Sequence, residues 1–192
     1  MLAVVDGPSD LALVQRVLAI DDRHAFASLV RRHQAPLRSF AARLCAGDLA
    51  RADDTAQEAF LLAYRNLASW RREGALRSWL LKLCYRAFLT DARRAHRKHE
   101  RVHTGDDDAA DRQLERATTA TPDLTTRRDV LRALGQLKPE ERAALALCFQ
   151  QGLTHEEAAA VLEVPLGTLK SHVARGKDRL KTLLSGYDSE AA

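Results

Sequence analysis

Three cysteines (Cys45, Cys84, Cys148) in 192 residues are too few, too far apart and of the wrong parity for a disulfide framework. With no Cys-x-x-Cys pair they also offer no thiolate zinc site, and they point to a reducing compartment. The amino terminus carries no cationic flank before a long apolar run, which argues against a secretion signal. No stretch approaches the roughly 18 uninterrupted apolar residues that a membrane-spanning helix needs. Charge of either sign is not in large excess: 30 Lys and Arg stand against 26 Asp and Glu, a formal +4, so the distribution of charge matters more than its sum. Period-two alternation, a nucleophile–base pair and a phosphate-binding glycine loop are missing too. These absences leave a soluble, cytoplasmic, all-α protein that is not an enzyme.

What is present is helical periodicity. Apolar residues recur at three and four from Asp10 to Ile20 (Leu11, Val14, Leu18) and from Arg23 to Cys45 (Phe26, Leu29, Val30, Leu37, Phe40, Ala41, Leu44). Pro36 lies within the second pattern and is expected to kink it or mark a helix start. A third helix is expected from about Ala52 to Leu67, with Ala56, Phe60, Ala63, Tyr64 and Leu67 inward. A fourth runs from Leu76 to about Arg97 and packs Trp79, Leu80, Leu83, Ala87 and Leu89. Basic residues then crowd together, and a Thr- and Asp-rich stretch follows. The layout is a first domain at 9–101, a linker at 102–126 and a second domain at 127–184.

The second domain carries the plainest pattern. Thr154 and Glu157 have capping-box spacing, in which hydroxyl and carboxylate satisfy two orphan backbone donors. Ala158, Val161 and Leu162 follow on one side, and Val164-Pro165-Leu166-Gly167 turns the chain. Thr168 can cap a further helix whose Leu169, Val173, Gly176 and Leu180 face inward. Lys170, Ser171, Ala174, Arg175 and Asp178 are left outward. Two short helices about a tight turn, the second with small, basic and hydroxyl groups outward, describe a helix-turn-helix.

Gly167-Thr168-Leu169-Lys170-Ser171-His172, with Arg175 a turn later, resembles the recognition helix of bacterial sigma-70 family sigma factors of the extracytoplasmic-function (ECF) group. Leu137-Lys138-Pro139-Glu140-Glu141-Arg142 resembles the opening of the same domain. In the first half, Ala52-Asp53-Asp54-Thr55-Ala56-Gln57-Glu58-Ala59-Phe60 is similar to the helix that grips the clamp helices of RNA polymerase. Leu76-Arg77-Ser78-Trp79-Leu80 and Asp91-Ala92-Arg93-Arg94 are similar to the segment that opens the minus-ten element. Departures are Arg51, where the family usually has an acid, Arg86, where it has Asn, and Thr90 or Asp91 near its usual late acid.

The resemblance implies two domains, sigma region 2 and the region 4 helix-turn-helix, and no cofactor or metal. Core RNA polymerase (clamp helices and flap) and promoter DNA are the implied partners. Asp53, Asp54, Gln57 and Glu58 would bind polymerase. For the minus-thirty-five element, Arg175 is the best base-edge fork, since guanidinium bonds guanine bidentately, with Thr168, Lys170 and Ser171 beside it. His172, Lys177 and Arg179 would position phosphates. Around the minus-ten element the implied set is Arg71, Arg72, Trp79, Arg86, Arg93, Arg94, Arg97 and Lys98, with Trp70 to Gly74 forming the loop that receives an unstacked base. A linker of about 25 flexible residues relaxes to about 28 Å. Two elements about two DNA turns apart lie roughly 70 Å from each other, so polymerase must hold the linker extended.

Regulation is expected from an anti-sigma protein or from a Ser/Thr kinase acting at Thr55, read here as lying near a helix start, where phosphate would add charge opposite Arg51. The plainer role of Thr55 is to cap that start. Two rival readings compete. An operator-binding helix-turn-helix regulator leaves the acidic helix and linker unexplained. A metal enzyme would need His96, His99 and His103, because His155-Glu156-Glu157-Ala158-Ala159 lacks the second His of a zinc-protease helix.

Overall fold

The computed structural model describes residues 7–72, 74–102 and 130–184, without side-chain detail for 96–102. All regular structure among these residues is helical. Ser9 caps α1 (Asp10–Ile20), which buries Leu13, Val14 and Val17, and Asp22 caps α2 (Arg23–Leu44). Pro36 lies inside α2, where its missing N–H leaves one helical carbonyl without its usual donor. A turn through Ala46 and Gly47, both at positive φ, leads to α3 (Leu49–Asn66), capped by Asp48. A short 3-10 turn (Leu67–Ser69) precedes α4 (Leu76–Val102). α3 therefore starts three residues before Ala52, and α4 continues five residues beyond Arg97.

The core of this half is α2, α3 and α4 packed together, with Leu37, Phe40, Ala41, Leu44 and Leu81 wholly buried. The buried face of α3 is mostly alanine: Ala52, Ala56, Ala59 and Ala63. Small side chains let its neighbours approach closely. Phe60 and Tyr64, expected inside, are half-buried at the rim of a groove.

In the other half, helical residues 130–135 (α5) precede α6 (Pro139–Leu145), a π-type turn (Ala146–Gln150), α7 (His155–Leu162) and α8 (Leu166–Leu184). Pro139 opens α6, where its lost donor would have gone unpaired anyway. The expected linker at 102–126, apart from Val102, lies outside the described residues.

The two halves touch. α6 and the π-type turn pack on α2, and α7 packs on α4. That second cover explains α4, whose Leu76, Leu80, Leu81, Leu83, Cys84, Tyr85, Ala87 and Phe88 are all buried. A single amphipathic stripe could not bury so many.

Candidate nucleic-acid interface

The turn between α7 and α8 is built by its caps. Glu157 N–H donates to Thr154 Oγ1 at 3.2 Å, and Thr154 N–H donates to Glu157 Oε2 at 2.9 Å. α7 ends at Glu163 in the left-handed conformation (φ 58, ψ 42). α8 then starts at Leu166, two residues before the expected cap Thr168, and Leu169 N–H donates to the Pro165 carbonyl at 3.0 Å. Proline supplies the preset φ and Gly167 sits harmlessly in the first turn. Thr168 is thus a half-buried first-turn residue rather than a cap.

α8 seats Leu169, Val173 and Gly176 inward, as its spacing requires. A Cβ on Gly176 would come within 2.9 Å of Leu145 Cδ1, so only glycine allows α6 and α8 this close. Lys170, Ser171, Ala174, Arg175 and Asp178 are exposed in one stripe. Ser171 Oγ donates to the Gly167 carbonyl at 2.9 Å. Arg175 reaches His172 Nδ1 at 3.3 Å and lies 3.8 Å from Glu141, so it is steered along the helix face yet keeps 60% of its side chain exposed. Arg179 donates to the buried Glu141 carboxylate at 3.1 Å. Lys177 Nζ stands 4.6 Å over the Phe149 ring. Two of the expected phosphate positioners are therefore engaged within their own half.

On α3, Asp53, Asp54 and Gln57 are exposed and Glu58 is half-buried. Asp53 accepts two hydrogen bonds from Arg38 at 2.8 and 2.9 Å. A groove of about 480 Å³ runs beside them, lined by Phe26, Val30, Phe60 and Leu61 among others.

Thr55 is not at a helix start. It lies mid-helix, 4% exposed, with its hydroxyl donating to the Arg51 carbonyl at 2.8 Å and 3.8 Å from Cys45 Sγ. The helix start belongs to Asp48, so Thr55 caps nothing. A kinase has no access to it either. Arg51 pairs with Asp91 at 2.7 Å and lies 5.5 Å from the Phe88 ring centroid.

Of the residues expected around the minus-ten element, Arg71, Arg72, Arg93 and Arg94 are exposed. Arg72 has a left-handed backbone (φ 63). Trp70 and Trp79 are half-buried against the core. The side chains of Arg97, Lys98, His96 and His99, together with Glu73 and His103, lie outside the described residues. Among the described residues no cluster of His, Cys, Asp and Glu is arranged to hold a metal.

Arg86 is not open to solvent alone. Its Nε and Nη2 donate to Glu163 at 2.9 and 2.7 Å, and Lys82 Nζ lies 3.0 Å from the same carboxylate. Partial burial opposes ionisation of Glu163, but the hydrogen bonds from Arg86 and Lys82 outweigh it and hold its pKa below the usual value. Nine residues earlier on α4, Arg77 Nη2 donates to the backbone and side-chain oxygens of Gln151 at 3.0 and 2.6 Å, and Gln151 Nε2 donates to the Pro36 carbonyl at 3.3 Å. Sequence reasoning missed Lys82, Glu163 and Gln151. Only the isolated Glu at a helix C-cap, where glycine is the usual choice, could have drawn notice.

Family comparison agrees with this arrangement. The family model described as Sigma-70 region 2 matches residues 29–98, and that described as Sigma-70, region 4 matches 127–180. The chain is 38% identical over 167 residues to the ECF RNA polymerase sigma factor SigM of Mycobacterium tuberculosis, covering 86% of this chain and 80% of that protein. It is 33% identical over 164 residues to the ECF RNA polymerase sigma factor SigE of Mycolicibacterium smegmatis, covering 85% of this chain but only 63% of that longer protein. The fold is similar to a sigma factor RpoE solved in complex with the anti-sigma factor NepR from Bartonella quintana, with a TM-score of 0.69, 26% identity and coverage of 83% and 96% of the two chains. Two helical domains in this order, the second a helix-turn-helix, and relatives matched across both of them lead to one assignment: the chain belongs to the ECF group of the sigma-70 family of RNA polymerase sigma factors.

Proposed function

We propose that this chain is a promoter-specificity subunit that joins core RNA polymerase in the cytoplasm and makes no covalent bond itself. The observation that carries this reading is the exposed stripe of α8 (Lys170, Ser171, Ala174, Arg175), presented by a helix-turn-helix. Such a stripe fits a major groove: Arg175 takes a guanine edge and Lys170 a phosphate, with Thr168 and His172 at the margin. Lys177 and Arg179 join only by leaving Phe149 and Glu141.

Polymerase binding falls to α3 through Asp53, Asp54, Gln57 and Glu58 and the groove beside them. A second groove, lined by Val130, Leu134, Leu145, Phe149 and Leu180 among others and with Phe149 61% exposed, fits the polymerase flap. The segment from Trp70 to Gly74 and the cations of α4 take the minus-ten strand, where a pocket must repay the few kcal/mol of unstacking. The solved relative is bound to an anti-sigma factor, and a partner of that class is the proposed regulator here. The test is co-purification with core polymerase followed by footprinting. Protection at two upstream elements only when polymerase is present supports the reading, and an equal footprint from the chain alone overturns it.

A further inference from the structure

Two cations one helical turn apart on α4, Lys82 and Arg86, hold both oxygens of one carboxylate, and that carboxylate comes from the other half of the chain. Glu163 presents it from a left-handed C-cap, a conformation that disfavours every side chain and for which glycine is the usual choice. A strained position has thus kept a long acid whose head spans the junction. Nine residues before Arg86 on α4, the Arg77 guanidinium makes a second tie to the other half, through Gln151. Lys82 and Arg86 are therefore a cationic pair on α4 filled by one internal anion.

We propose that Lys82 and Arg86 form a phosphate site for the DNA backbone and that Glu163 occupies this site intramolecularly when the two halves are docked. The proposal rests on the promoter-binding reading above. Two elements about two DNA turns apart, at 34–36 Å per turn, cannot both be engaged while α7 lies on α4. Opening must therefore precede promoter binding, and the opened chain offers Lys82 and Arg86 to a DNA phosphate in place of the Glu163 carboxylate. Charge-assisted contacts on either side are of the same kind, so the exchange trades like for like.

The test uses the full chain without polymerase, with a twenty-nucleotide oligo-dT as the phosphate probe and fluorescence anisotropy at low salt. Glu163→Gln is expected to bind the probe about fivefold more tightly than the wild type, the scale of an exposed ion-pair cluster. Its radius of gyration in small-angle scattering is expected to increase. Glu163→Gly relieves the backbone strain, so it keeps the fold secure and is expected to show the same gain. Glu156→Gln changes the charge equally on α7 away from the junction and is expected to show none. Adding Arg86→Ala to Glu163→Gln is expected to erase the gain. Equal affinity and equal size for wild type and Glu163→Gln overturn the proposal, and so does an expanded variant that binds the probe no better. Failure of the promoter-specificity reading shows separately, as lack of core-polymerase binding by the wild type.

Discussion

The carboxylate of Glu141, 2% exposed on α6, accepts a hydrogen bond from Arg179 of α8 at 3.1 Å. It also reaches back to the start of its own helix, accepting from the Lys138 N–H at 3.4 Å. This one acid fixes the start of α6 and the roll of α8, and hence the direction of the exposed stripe. Gly176 makes the contact close enough. Gly176→Ala is expected to destabilise the second half by about 1–3 kcal/mol through overpacking against Leu145, read as a lower urea midpoint. An unchanged midpoint would mean that α8 shifts freely on α6.

Arg175→Ala should weaken the cognate minus-thirty-five element by about 1–3 kcal/mol and relax preference at one base pair. Lys170→Ala should weaken all sequences alike and lower the salt slope by about one. Competition binding with holoenzyme checks both. Arg175→Ala with an intact base preference would show that another face of α8 enters the groove.

Asp54→Lys with Glu58→Lys should abolish capture of core polymerase while circular dichroism stays helical. Both sit on the outer side of α3, away from its alanine face, so the fold has no reason to suffer. Retained capture would move the polymerase contact elsewhere.

Thr55→Glu should unfold the first half or cost more than about 3 kcal/mol, because it drives a carboxylate among Cys45, Ala52 and Ala59. Thr55→Val should cost about 1 kcal/mol, the worth of its hydrogen bond to Arg51. Thermal unfolding distinguishes this from a phosphorylation switch, for which the acidic variant would be folded and more active in transcription.

Burial pushes the Cys84 thiol up to about 12 from an ordinary 9.0. A raised folded-state pKa contributes stability that is fully present below pH 9 and is lost as pH rises toward 12. Unfolding should therefore become easier through that window in the wild type and less so in Cys84→Ala, once the lower baseline of that variant is subtracted. In the native protein at neutral pH, half-buried Cys148 should react with a thiol reagent before Cys45 and Cys84.

Helix periodicity carried most of the fold, because Leu, Val and Phe at three and four mark a buried stripe whatever lies beyond it. It misplaced Phe60 and Tyr64 because the true inner face of α3 is alanine, too weak a signal to outrank two aromatics. Thr55 was misread because Asp48, seven residues earlier, is the real cap, and a capping-box spacing recurs by chance inside helices. The outward stripe of α8 was legible because inward and outward residues alternate cleanly about Leu169, Val173 and Gly176. The junction of the two halves was not legible. Arg86–Glu163 and Arg77–Gln151 join residues 77 and 74 positions apart, and no local pattern links them. Arg86 and Arg51, which depart from the family pattern, are each held by a carboxylate, Glu163 and Asp91.

Run-off transcription with core polymerase on a library of random upstream sequences tests the promoter-specificity reading most directly. The expected result is product only when chain and core are both present, from templates enriched in two blocks at one fixed spacing of about two helical turns. Arg175→Ala should alter the upstream block alone. Absence of product, or enrichment of a single palindromic block that the chain binds without polymerase, would contradict it.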